Sequence, residues 1–124
     1  MAASSRSRVR RVTRGDDAEA RAAEFLEGAG LQIIARNYRC RFGEIDLVAR
    51  NGSTVVFVEV RARTSERYGG AAGSITAAKR RKLLAAARYY LRCHGARDAA
   101  CRFDVVLLTG STARIEWITD AFGE

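Results

Sequence analysis

The chain has 124 residues, 48% hydrophobic and 29% charged, with a formal net charge of +8 and an isoelectric point near 10.2. That length supports one packed domain rather than two, and that composition excludes wholesale disorder. No apolar run approaches the roughly 20 residues needed to span a bilayer, so a helical membrane protein is excluded too.

The first stretch, Met1 to Gly15, is rich in Ser and Arg and has no acids, as organelle transit peptides often are. It also lacks the apolar block of a secretory signal. We read residues 1–14 as a disordered basic tail and residues 15–124 as a single domain. Five arginines (Arg6, Arg8, Arg10, Arg11, Arg14) stand before Gly15, so most of the excess charge lies in the tail. Such a tail attracts phosphates in a salt-sensitive way without reading sequence. Solubility alone is the competing explanation. The three cysteines (Cys40, Cys93, Cys101) form no Cys-x-x-Cys pair, which is poor material for a disulfide framework or a zinc site. A reducing, cytoplasmic setting follows from that usage.

From Asp16 to Ala29 the apolar positions Ala18, Ala22, Phe25, Leu26 and Ala29 recur at helical spacing, with Gly28 and Gly30 as the stop. Leu31 to Arg36 reads as a short strand. Glu44 to Arg50 and Thr54 to Arg63 are stronger strands around Asn51-Gly52-Ser53, and Asn-Gly between β-type runs signals a hairpin. Ser65 to Gly73 is a glycine-rich loop. A second helix is expected over about Thr76 to Arg92, with Leu83, Leu84, Ala87, Tyr90 and Leu91 as its apolar stripe. Phe103 to Leu108 has the continuous apolar character of a strand buried on both faces, and Arg114 to Thr119 is a further strand. The expected class is α/β, in the order α-β-β-β-α-β-β. An antiparallel meander is followed by a crossover that sets the fourth strand parallel to the third, giving a mixed sheet flanked by helices.

Strand alternation puts Glu44, Asp46 and Val48 on one face, opposite Ile45, Leu47 and Ala49. On the next strand Val55, Phe57, Glu59 and Arg61 share a face. Acids therefore fall within otherwise apolar strands, where an unpartnered carboxylate costs several kcal/mol. If Asn51 and Gly52 form the turn, Glu44 faces Glu59 with Asp46 on the diagonal. If Gly52 and Ser53 form it, Asp46 faces Glu59. In both registers the carboxylates converge and need positive charge between them. Mg²⁺ or Mn²⁺, which prefer oxygen ligands, would supply it. A salt-bridge cluster with Arg61 and Arg63 would do so equally.

Gly43-Glu44-Ile45-Asp46, followed by Val58-Glu59-Val60-Arg61, resembles the Asp…Glu-x-Lys core of the PD-(D/E)XK nuclease superfamily. The set is more similar to one branch, the bacterial YraN family, itself similar to archaeal Holliday junction resolvases. Further matching features are Gly15, Glu19 and Ala22 on the first helix, Asn37, Lys79 on the second helix, and Arg102-Phe103-Asp104. The resemblance runs from about Gly15 to Phe122. It implies a restriction-endonuclease-like fold in which Asp46 and Glu59 bind the metal with the Val60 carbonyl, and Glu19 adds an acid nearby. It also implies hydrolysis of a phosphodiester, with the cation two residues after Glu59 orienting water or stabilising charge on the phosphate. That cation is Arg61 here where the superfamily pattern has Lys, and its pKa is too high for it to act as a base.

Structural readings stand beside several of these. Glu19 can complete a capping box with Asp16. Glu44 can pair with Arg39 or Arg41. Arg102 and Asp104 can form an ion pair. Lys79, Arg80, Arg81 and Lys82 form a basic run at a helix start, which is read as phosphate contact despite the opposing helix dipole. His94 is read as solvent-exposed. Tyr89 and Trp117 are read as core, with base stacking as the alternative. The leading functional expectation is a Mg²⁺- or Mn²⁺-dependent endonuclease for structured or branched DNA. The alternative is a catalytically silent nucleic-acid-binding module, and a third class is a protein-interaction adaptor. Nucleic acid is the expected partner, and the resolvase resemblance implies a homodimer.

Overall fold

A computed structural model describes residues 14–63, 75–110 and 114–122 of the chain. The elements run α1 (Arg14–Gly28), β1 (Gln32–Cys40), β2 (Gly43–Asn51), β3 (Thr54–Arg63), α2 (Ala77–Cys93), β4 (Cys101–Thr109) and β5 (Arg114–Phe122). One mixed sheet of five strands in the order β1-β2-β3-β4-β5 carries the fold. All neighbours pair antiparallel except β3 and β4, which are parallel and joined through α2. Residues 1–13 of the expected tail and the glycine-rich segment 65–73 lie outside the described residues, as does the Arg63 side chain, and Arg14 opens α1.

The helices cover opposite faces. Ala18, Ala22, Ala23 and Leu26 of α1 pack on Leu47, Ala49, Val56, Val58, Val106 and Leu108. Leu83, Ala86, Ala87, Tyr90 and Leu91 of α2 pack on Val48, Val55, Phe57 and Phe103. Small residues on α1 let that helix approach the sheet closely, whereas Tyr90 fills the α2 side with edge contacts to Tyr38 and Phe57.

Several expectations are corrected. β1 continues to Cys40, well beyond Arg36, and pairs with β2 along its length. A register shift between Ile33 and Ala35, and Asn37 at φ 52, break the alternation that would have revealed it. Asp16 falls inside α1, beyond its first residue, so it does not stand at the N-cap position that the capping-box reading of Glu19 needs. Of the two turns left open by the sequence, the structure has Gly52-Ser53: Asn51 still pairs with Thr54, and Gly52 alone takes positive φ (66°), as the first central residue of a type II′ turn does. Leu47 therefore faces Val58, and the register is the one that directs Asp46 towards Glu59.

Alternation also fails within β2. Ile45 packs with Val48 on the α2 side, not with Leu47 and Ala49. Its partner Tyr38 and the earlier Ala35 sit on that same side, so both strands change face between the pairs Arg36↔Leu47 and Tyr38↔Ile45. Asn37 and Asp46 stand at that level. Asn37 adopts a left-handed conformation that asparagine tolerates better than most residues. The distortion frees Asp46 from ordinary sheet geometry.

Candidate functional site: carboxylates at a strand irregularity

The β2–β3 pairing runs from Asn51↔Thr54 at the turn to Leu47↔Val58. Beyond it, the Val60 N–H donates to Asp46 Oδ2 at 2.8 Å. A side-chain carboxylate thus takes a main-chain donor on the neighbouring strand, which fixes both its position and the orientation of the Val60 peptide. Burial pushes the Asp46 carboxyl up from 3.8 to about 7; the negative charge of Glu59 adds to the rise, and the Val60 hydrogen bond opposes it. Glu19, reaching over from α1, hydrogen-bonds the protonated Asp46 and raises it further.

Glu59 is only 5% exposed, so it requires neutralisation. Lys79 Nζ lies 2.8 Å from its Oε2, and an Arg61 guanidinium nitrogen lies 3.6 Å from the same oxygen. The lysine arrives from the first turn of α2, where the Thr76 side chain accepts from the Lys79 N–H at 3.1 Å and caps the helix. Asp46, Glu59, Glu44, Lys79, Lys82, Thr76 and Gly43 line a cavity of about 430 Å³. The α2 N-terminus forms one wall, and its macrodipole favours an anion there.

Among the described residues, no three or more His, Cys, Asp or Glu side chains are spaced to cage a metal unaided. The oxygen-only donor set nevertheless suits Mg²⁺ or Mn²⁺, which commonly rely on one or two carboxylates and take their remaining ligands from water and phosphate. Two neighbouring carboxylates beside a helix N-terminus, Asp46 with its raised carboxyl and buried Glu59, fit that pattern. A second cavity, of about 410 Å³, lies by Leu84, Leu91 and Phe103 with Arg88, Arg92 and Arg97 around it. It has no carboxylate in its lining, so it offers nothing to a divalent ion.

The expected site residues separate into two groups. Asp46, Glu59, Arg61, Glu19 and Lys79 converge. Glu44 lines the same cavity while pairing with Arg39 at 3.0 Å on the surface. The basic run is not a uniform patch, however. Arg80 donates to the Ile75 carbonyl at 2.8 Å, Arg81 is exposed, and Lys82 is exposed beside the cavity.

Arg102 and Asp104 belong elsewhere. Asp104 is fully buried on the α1 side and accepts from Arg102 Nε (3.0 Å), Trp117 Nε1 (2.9 Å) and the Asp120 N–H (2.9 Å). It locks β5 onto β4 beside the register shift between Phe103 and Val105, with Asp120 at φ 51. Trp117 packs edge-on against Phe25, completing that side of the core. His94 is exposed; its Nδ1 lies 2.8 Å from the Tyr90 carbonyl, and its ring stacks on Tyr90. All three cysteines are free.

The fold and site define an α/β protein that gathers acids and cations where two central strands part. Residues 18–108 match the family described as "Uncharacterised protein family UPF0102". The chain is 60% identical over 109 residues to a UPF0102 protein of Methylobacillus flagellatus, covering 87% of this chain and 95% of that one. It is 56% identical over 112 residues to one of Nitrosomonas europaea, covering 90% and 94% of the two chains. Against one of Ralstonia nicotianae it is 55% identical over 113 residues, covering 88% and 85%. The chain belongs to the UPF0102 (YraN) family. Among the described residues, no helix is long and apolar enough to cross a membrane.

Proposed function

We propose that this protein is a Mg²⁺- or Mn²⁺-dependent endonuclease with a restriction-endonuclease-like site, acting on structured or branched DNA. The observation that carries this reading is the convergence of Asp46 and Glu59 at the mouth of a cavity walled by the α2 N-terminus and Lys79. The charge of Glu59 beside a buried carboxyl disfavours ionised Asp46, so a purely structural role would be poorly served by this arrangement.

Asp46 and Glu59, with the Val60 carbonyl, would hold the ion, and Glu19 would hold a proton or a water beside Asp46. Bound there, the ion would activate a water and neutralise charge on the phosphate. Lys79 and the α2 N-terminus draw a phosphate in, while Arg61 stabilises its oxygens as charge develops. The Val60 N–H keeps Asp46 from rotating away. Branched DNA and a homodimer are what the resolvase resemblance favours.

A second reading has its own observation. Glu59 is already neutralised by Lys79 and Arg61, which would suit a nucleic-acid-binding module that retains the fold without cleaving. Cleavage of four-way, duplex and single-stranded DNA with Mg²⁺ or Mn²⁺, alongside calorimetric Mn²⁺ titration, separates the two. The nuclease reading expects Mn²⁺ binding and cleavage that Asp46→Ala abolishes. Retained DNA binding with no Mn²⁺ uptake and no cleavage favours the silent module.

A further inference from the structure

The β1–β2 hairpin closes through Arg41 and Phe42, since Cys40 pairs directly with Gly43. Phe42 is 37% exposed at this tip instead of buried in either core. Its ring lies 5.5 Å from that of half-buried Tyr89 on α2. A guanidinium caps each end: Arg41 is 5.0 Å from the Phe42 centroid, and Arg92 is 5.4 Å from that of Tyr89. The result is a surface ladder of arginine, aromatic, aromatic, arginine, assembled from a hairpin turn and a helix.

The ladder is fixed in place by its backbone. Gly43 approaches α2 so closely that an added Cβ would lie 3.3 Å from the Lys82 carbonyl oxygen, and its φ of 154° is one that side chains disfavour. Gly43 and Lys82 also line the acid cavity, so the ladder starts at the cavity wall and runs along α2 away from it. An exposed ring on a half-buried one, with a cation beside each, matches the chemistry of single-stranded nucleic acid. Every base has a π-face that stacks on an aromatic ring, while guanidinium and ammonium groups meet phosphates. A duplex keeps its base faces stacked inside and cannot use the rings in this way.

We infer that Arg41, Phe42, Tyr89 and Arg92 form a stacking platform for unpaired bases, which leads a single strand past Lys82 towards the acid cavity. The platform stands on its own geometry; only its link to cleavage rests on the reading proposed above. Binding is therefore measured in EDTA, by fluorescence anisotropy of labelled oligothymidylate and of a duplex of equal length. Phe42→Ala is expected to weaken oligothymidylate binding about tenfold and duplex binding less than about twofold. The salt dependence should be unchanged, because phosphate contacts remain. Phe42→Trp should restore single-strand affinity and show quenching on stacking. Thermal unfolding of both variants confirms that they fold.

Equal losses on the two ligands, no loss on either, or failure of Phe42→Trp to restore affinity would overturn the platform. A change in oligomeric state without a change in single-strand affinity would overturn it too, by identifying the rings as a self-association surface. Selective single-strand loss in a protein that never cleaves would instead leave the platform standing and remove the nuclease.

Discussion

Replacing Asp46 by Asn removes a charge from the most stressed position in the site while keeping an oxygen to accept from the Val60 N–H. In the wild type burial and the Glu59 charge raise this carboxyl from 3.8 to about 7. A folded-state pKa above the unfolded value means that the folded protein binds the proton more tightly. Stability from this group is therefore complete below the unfolded pKa and falls as pH rises through the folded one. Three pH units correspond to about 4 kcal/mol as an upper bound, and relaxation around the charge brings the expected figure to about 1–3 kcal/mol. In EDTA, Asp46→Asn should match wild type near pH 4 and exceed its stability by that amount at pH 8, read from urea denaturation midpoints. Mg²⁺ should then stabilise wild type at pH 8 and leave the variant unaffected, since only a competent site gains from mass action. A difference independent of pH, or an Asn variant less stable at pH 8, would refute the reasoning.

Lys79→Ala should cost about 1–2 kcal/mol in EDTA, a figure reduced because the lysine is half exposed, and less in Mg²⁺, which substitutes for the lost cation; chemical denaturation with and without metal measures both. Arg61→Lys should keep or raise metal-dependent cleavage, whereas Arg61→Ala should lower it at least about tenfold, read as single-turnover rates. Asp104→Ala should destabilise by about 3–5 kcal/mol by stranding Arg102, the Trp117 indole N–H and the Asp120 N–H, without changing Mn²⁺ affinity in calorimetry. Deleting residues 1–13 removes four arginines and should flatten the slope of log affinity against log salt by about 2–4, with no change in sequence preference.

Element order, the parallel β3–β4 pair and the shared location of Asp46 and Glu59 were legible because they follow from periodicity, hairpin length and a helical crossover. The buried strands and the α2 stripe announce themselves in the same way. What stayed hidden is whatever breaks a period. β1 beyond Arg36 is masked by a register shift, by Asn37 at positive φ and by polar side chains that read as loop. The change of face at Ile45 is invisible to alternation, although it gives Asp46 its freedom. Asn51-Gly52-Ser53 signalled the hairpin but left two turns open, and the choice fell to Gly52-Ser53 because Gly52 alone takes positive φ. Lys79 illustrates a different limit: the basic run reads as phosphate contact, and only the capped start of α2 shows that Lys79 reaches Glu59. Phe42, between Arg41 and Gly43, offered a local signal that was missed, since an aromatic residue in a basic hairpin tip has no core to fill. Asp104 within an apolar strand signalled a polar partner without saying whether the partner was catalytic or structural.

Crystals soaked in millimolar Mn²⁺ and measured at the manganese absorption edge test the central claim most directly. The account predicts an anomalous peak between Asp46 and Glu59 with oxygen ligands at about 2 Å, and Lys79 drawn away from Glu59 by the arriving charge. A site with no such peak, and with the Lys79–Glu59 pair still at 2.8 Å, would contradict it.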